Sequence, residues 1–215
     1  MRKISRKERE RQRHCEEILR AAEAVFAEKG YNRARMSDIA DAAEFSVGYI
    51  YNVWKSKKDL YLGIIESKIK DLKSFIEAKI EETDDPFEKI SLLVDAHFSF
   101  LEKHQDFFKI YMSETSETDI RIFGTLSTRL KRYRSQQLQM VERIFEKGIE
   151  EGIFAPVPAQ DLTTALKGMI FAFTLDFLNR TPGENLSDKR NIMKRIFFGS
   201  VLMRTRESRE ELMGT

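Results

Sequence analysis

MSDIADAAEFSVGYIYNVWKSKK, residues 36–58, reads as two short helices around a tight turn, followed by the start of a third. Ile39, Ala40 and Ala43 recur at helical spacing and form a narrow apolar stripe, small enough for another helix to approach closely. Glu44-Phe45-Ser46 breaks the pattern, and Ser46 is suited to accept a hydrogen bond from the first amides of the next helix. From Val47 to Trp54 the spacing turns Val47, Ile50 and Trp54 inward. Gly48, Tyr49 and Asn52, small or hydrogen-bonding, remain on the other side. Two helices joined by a three-residue turn, the second with a polar face, describe a helix-turn-helix, here over about residues 36–55.

The neighbouring words narrow this reading. With ILRAAEAVFAEKGY before the motif, MSDIADAA and FSVGYIYNVWKSKKDL within it, and a long helix after it, the chain from Ile18 through Leu60 resembles the DNA-binding domain of the TetR family of bacterial transcriptional regulators. The resemblance implies a homodimer that binds double-stranded operator DNA and is released by a ligand held in its C-terminal domain. It also implies an all-α fold, with an N-terminal three-helix helix-turn-helix domain (residues 1–62, including a basic arm) and a C-terminal helical ligand-binding and dimerisation domain (residues 63–215).

Two positions depart from the family pattern. Thr or Ser is usual where Arg35 stands, capping the next helix and touching phosphate. Arg35 cannot cap, so Ser37 is expected to take that role while Arg35 meets phosphate by charge. Gly is favoured where Glu44 stands; if φ is positive there, Glu costs about 1 kcal/mol relative to Gly.

The DNA-facing residues follow from helix geometry and the resemblance together. Ser46, Val47, Gly48 and Tyr49 begin the second helix, the end that enters a major groove. Gly48 permits close backbone approach, Val47 suits a thymine methyl, and Tyr49 suits a base or phosphate. Asn52, one turn after Gly48, suits adenine or a phosphate. The resemblance adds Tyr51 as a phosphate contact and Lys57 as a charge, with nearby backbone amides, on phosphate; Lys55 completes the set. Trp54 is expected to pack behind the motif.

Composition agrees with this frame. The chain has 215 residues, 41% hydrophobic and 33% charged, with only four prolines and ten glycines, as expected of a soluble helical protein. No apolar run reaches about 18 residues, so no membrane span is expected. The basic N-terminus lacks the apolar stretch of a signal peptide. The single Cys15 cannot pair within the chain, so a reducing cytoplasm is expected. Residues 1–62 carry 14 Lys+Arg against 10 Asp+Glu, a balance of +4, while the whole chain is +2. Seven basic and two acidic side chains fall within the first 13 residues, including Arg2, Lys3, Arg6 and Lys7, as suits an arm that meets phosphates.

The periodicity predicts further helices. One runs from about Arg11 to Lys29, with Ile18, Ala22, Val25 and Phe26 on one face and Gly30 as its stop. Ser56 and Asp59 form a capping box opening a helix over about Lys57–Glu82. Asp85 and Pro86 open the next, whose face holds Phe87, Ile90, Val94, His97 and Leu101. A short helix from Gln105–Asp106 carries Phe107, Phe108, Ile110 and Tyr111. A long one is expected from about Ile120 to Gly148. Asp161 is expected to cap another, and the last bears Ile192, Ile196, Phe197 and Val201.

Fourteen of the sixteen phenylalanines lie after residue 70. They can fill a core or leave an apolar pocket with few polar groups. A small hydrophobic or aromatic effector fits such a lining, with His97, Phe108, Tyr111 and Phe173 as candidate contacts. Gly168, Phe173, Ile196 and Gly199, on the last two helices, are candidates for the dimer interface that the resemblance implies. No glycine-rich phosphate loop, metal-spaced Cys/His cluster or nucleophile elbow is present, so neither enzyme, cofactor nor metal is expected. A helical interaction protein would leave the basic start and the polar second helix without a role.

Overall fold

The computed structural model describes residues 5–116, 128–179 and 185–202. Arg2, Lys3, the expected start of the long helix at residues 120–127 and the tail after Arg204 lie outside them. The described residues form nine helices: α1 (Arg6–Arg33), α2 (Met36–Ala43), α3 (Val47–Val53), α4 (Lys57–Ile80), α5 (Pro86–Lys103), α6 (Gln105–Ser116), α7 (Thr128–Glu150), α8 (Ala159–Asn179) and α9 (Leu186–Val201). The extended residues among them make one isolated antiparallel bridge, Phe154 with Leu202. The fold is all-α, as the periodicity predicts.

Helix α1 starts five residues before its expected position. Ser5 accepts the Glu8 amide on its Oγ (3.2 Å), and the Glu8 carboxylate accepts the Ser5 amide (2.8 Å). This capping box was legible as Ser-x-x-Glu and supports helix through a stretch expected to be a flexible or partly helical extension. The helix kinks at Gly30, whose φ of 73° suits a residue without Cβ, before one more turn to Arg33.

The chain divides into two compact units, Met1–Asp71 with His104–Leu130, and Leu72–Lys103 with Lys131–Thr215. In the first, Ile18, Ala22 and Phe26 of α1, Ile39 and Ala40 of α2, Ile50 of α3, and Leu60, Tyr61, Ile64 and Ile65 of α4 are buried. Tyr61 packs edge-on against Phe26 (5.2 Å) and donates its hydroxyl to the Ile110 carbonyl of α6 (3.3 Å). That bond satisfies the polar tip of a ring that is 1% exposed.

Polar groups also enter this interior. Glu23 of α1 pairs with Lys68 of α4 (3.1 Å), whose ammonium also lies 3.2 Å from His104 Nδ1. Burial raises the Glu23 carboxyl above its ordinary value, opposed by Lys68.

In the second unit α5 is central, with Ile90, Leu93, Val94, Ala96, Phe98, Phe100 and Leu101 all buried. Asp85 caps it by accepting the Glu88 amide (2.7 Å), with Pro86 first in the helix as expected. Phe145 of α7 meets Phe154 (5.1 Å) and Phe197 of α9 (6.1 Å), while Phe87 of α5 meets Phe198 (4.6 Å). His97 is hydrogen-bonded to Thr174 of α8 (Nε2 to Oγ1, 3.3 Å). Its ring is enclosed, although part of the residue reaches solvent, and burial pulls its pKa down to about 4.

One expected cap is corrected, and one helix face is settled. Asp161 lies in the first turn of α8; the turn before it is closed by the Pro158 carbonyl, which accepts the Asp161 and Leu162 amides (2.9 and 3.2 Å). Ile192 and Ile196 do not face the core of their unit. They are 45% and 52% exposed, while Met193, Phe197 and Val201 of the same helix are buried.

Candidate DNA-binding surface

The N-cap of α2 is Arg35, not Ser37. The Arg35 amide donates to the Asp38 carboxylate (2.9 Å), and Asp38 also pairs with Lys29 (3.3 Å). These two contacts, the backbone bond first, hold the Asp38 carboxyl below its ordinary value. Arginine offers no acceptor, so Arg35 contributes only its backbone to the cap, and its side chain is exposed.

The turn closes on Glu44. Its φ of 58° and ψ of 35° are left-handed. The Phe45 amide reaches back to the Ala40 carbonyl (3.0 Å) and the Glu44 amide to the Asp41 carbonyl (3.3 Å). Together these form a Schellman stop, where glycine is the common residue. The conformation that Gly would supply is therefore adopted by Glu.

Ser46 opens α3 by accepting the Tyr49 amide on its Oγ (3.1 Å), as expected of an N-cap. Ile50 is fully buried and anchors the helix. Trp54 is half-buried; a Cβ on Gly63 of α4 would lie 3.0 Å from its Nε1, so the missing side chain admits the indole. Val47 does not turn inward: it is 37% exposed. Tyr51 is 48% exposed; Gly48, Asn52 and Lys55 are exposed as well. Val47, Gly48, Tyr51 and Asn52 follow the one-turn spacing of a single helix face. A Cβ at Gly48 would meet nothing within 4 Å.

Tyr49 is placed differently. It is half-buried, its ring stacks on Phe45 at 5.1 Å and 16°, and its hydroxyl lies 2.9 Å from His14 Nδ1 on α1. His14 did not figure among the sequence-derived site residues. A signal existed, since His14 extends the Ile18–Ala22 face one turn toward the N-terminus.

Lys57 also differs from expectation. Its ammonium donates to the carbonyls of Tyr31 (2.7 Å), Ala34 (3.0 Å) and Asn32 (3.4 Å), and sits 4.5 Å from the Tyr31 ring centroid. The charge thus satisfies carbonyls at the end of α1. Ser56 and Asp59 form half of the expected capping box: the Asp59 amide donates to Ser56 Oγ (3.1 Å), while the Asp59 carboxylate accepts the Ser56 hydroxyl (2.9 Å) in place of its amide. The first turns of α1 are exposed, with weak pairs Arg6–Glu10 and Arg13–Glu17, both at 3.7 Å.

Residues 18–64 match the family model for bacterial regulatory proteins of the tetR family, and residues 86–195 match that of the tetracyclin repressor-like C-terminal domain. The chain belongs to the tetR family of bacterial regulatory proteins. Among relatives of this tetR-family chain, the fatty acid metabolism regulator protein of Bacillus subtilis (strain 168) is 28% identical over 136 residues, 63% of this chain and 68% of that protein. The HTH-type transcriptional repressor KstR2 of Mycobacterium tuberculosis (strain CDC 1551 / Oshkosh) is 30% identical over 141 residues, 65% and 68% of the two chains. The crystal structure of the transcriptional regulator FadR from Bacillus subtilis in complex with stearoyl-CoA shares the fold. Its TM-score is 0.75 at 22% identity, covering 85% of this chain and 97% of that one.

The other expected sites fall as follows. His97 and Phe173 belong to the second compact unit, and the Thr174 beside Phe173 is the hydrogen-bond partner of His97. Phe108 and Tyr111 belong to the first, where Phe108 is buried and Phe107 packs against both (5.0 and 5.7 Å). Gly168 and Gly199 are exposed, with nothing within 4 Å of an added Cβ, and Phe173 is half-buried. Among the described residues, no helix is long and apolar enough to cross a membrane, and no group of three or more His, Cys, Asp or Glu could hold a metal ion.

Proposed function

We propose that the protein is a ligand-responsive repressor that binds a palindromic operator as a homodimer and leaves it when a small hydrophobic effector binds. Residues 1–62 would form its DNA-binding domain and 63–215 its ligand-binding and dimerisation domain. The observation that carries the reading is the exposed face of α3, where Val47, Gly48, Tyr51 and Asn52 stand out from a helix anchored by Ile50. A helix offering a methyl group, an open backbone and hydrogen-bonding tips suits base edges in a major groove. Arg35, Lys55 and the amides at the start of α4 suit the flanking phosphates.

Dimerisation is supported by the apolar surface of α8 and α9. Phe171, Ile192 and Ile196 are 39%, 45% and 52% exposed, beside the open Gly168 and Gly199. Small residues allow helices to approach closely, and a two-fold axis would set two α3 helices one helical turn of DNA apart. The phenylalanine-rich sequence after residue 70 and the stearoyl-CoA complex of the FadR neighbour together make a long-chain acyl thioester the first effector to test. The cytoplasm is the compartment where such a regulator would act.

Selection of binding sites from random duplex DNA, repeated at two salt concentrations, tests the reading. A palindrome recovered at both supports it, and addition of stearoyl-CoA should then release the DNA. Weak binding without an enriched sequence would reject it.

A further inference from the structure

We propose that His14 is a specificity-determining positioning residue: its Nδ1 holds the Tyr49 hydroxyl and so sets which hydrogen-bonding side of Tyr49 faces operator DNA. The inference rests on the regulator reading above.

Tyr49 is the third residue of α3, at the end suited to a major groove, and three contacts hold it. Its amide is held by Ser46, its ring by Phe45 and its hydroxyl by His14. The three rings close a triangle, with His14–Phe45 at 5.0 Å, Phe45–Tyr49 at 5.1 Å and His14–Tyr49 at 5.7 Å. A swing of Tyr49 to another rotamer would break both the stack and the hydrogen bond. The side chain is thus ordered before it meets DNA, which lowers the ordering cost of binding.

The bond also has a direction. A phenol has one proton and two lone pairs. If Nδ1 accepts, that proton points at His14, and Tyr49 can offer DNA only lone pairs, the partner for an adenine or cytosine amino group. If Nδ1 carries a proton, the phenol proton is free for guanine O6 or N7, thymine O4 or a phosphate oxygen. In either case the choice is made by a side chain of α1, from outside the helix-turn-helix.

The test uses the full-length protein and the palindrome it selects. Dissociation constants for that duplex and a scrambled one are compared among wild type, His14→Ala, His14→Asn, Tyr49→Phe and the double variant His14→Ala/Tyr49→Phe. Asn places an amide where Nδ1 lies and should keep the bond. His14→Ala and Tyr49→Phe should each lower the ratio of operator to scrambled affinity about five- to tenfold. The double variant should fall no further than either single one. His14→Asn should stay within about twofold of wild type.

Repeating the selection with Tyr49→Phe should relax the base preference at one position in each half-site. An unchanged ratio in His14→Ala, additive losses in the double variant, or equal damage from Asn and Ala would overturn the inference. Should His14→Ala fail to fold, Tyr49→Phe, which removes a single oxygen, and His14→Asn still decide it. A wild-type protein that selects no sequence would overturn the regulator reading and this inference with it. Intact wild-type selection with an indifferent His14 would overturn only the latter.

Discussion

Replacing Lys57 with Met separates two roles for this side chain. Met keeps most of the stem and removes the ammonium. The change abolishes hydrogen bonds to the carbonyls of Tyr31 at 2.7 Å and Ala34 at 3.0 Å, a long one to Asn32 at 3.4 Å, and a cation–ring contact at 4.5 Å. A hydrogen bond to a charged group contributes about 1.5–3 kcal/mol, and an exposed cation–π contact about 0.5–1 kcal/mol. Lys57 is half-buried, so water can replace part of what is lost. A net destabilisation of about 2–3 kcal/mol is expected, read as a lower urea midpoint at unchanged slope.

The salt dependence of DNA binding gives the opposing readout. A lysine on phosphate contributes about 0.9 to the slope of log K against log salt. With its ammonium turned to the end of α1, Lys57 should contribute almost nothing, and the slope for Lys57→Met should match wild type. A variant as stable as wild type, whose slope falls by about one unit, would refute the reasoning. It would place the charge on DNA, as the family resemblance suggests.

Three further outcomes are expected. Glu44→Gly relieves a left-handed φ of 58° and should raise stability by up to about 1 kcal/mol in urea titration, less the extra freedom glycine has when unfolded. His97 has its pKa lowered to about 4, so as pH falls below about 6.5 the unfolded chain takes up the proton first. Stability should therefore fall by about 3 kcal/mol between pH 7 and pH 4 on account of this group, and His97→Gln should flatten that part of the profile; an unaltered pH dependence would exclude His97 as its source. Ile196→Glu, at a side chain 52% exposed, should leave the fold intact by circular dichroism and give monomers by sedimentation. A dimer that persists would move the interface to another face.

The helix-turn-helix was legible because each of its parts is local. The stop after Ala43, the Ser46 cap and the Ser56–Asp59 pair involve residues three to five apart, and their chemistry can be read from spacing alone. Glu44 illustrates this: the tight turn required a left-handed residue, and Glu adopts it. The same rule covered Asp85 and Pro86 at the start of α5. It would also have found the Ser5–Glu8 box that carries α1 to Arg6.

By itself the sequence determined the all-α class, the order of the helices and the placing of the helix-turn-helix, since helical periodicity and caps act within one turn or two. Tertiary structure decided where side chains point when their partners are distant in the chain. His14 meets Tyr49 across 35 residues, and Lys57 meets Tyr31 across 26. An apolar stripe likewise shows that a face is covered without naming the cover. Ile192 and Ile196 share a helix with Phe197 and Val201, yet only the latter pair is buried within its own unit. Spacing sets the angle of a side chain about its helix axis; packing of the whole chain decides what lies at that angle.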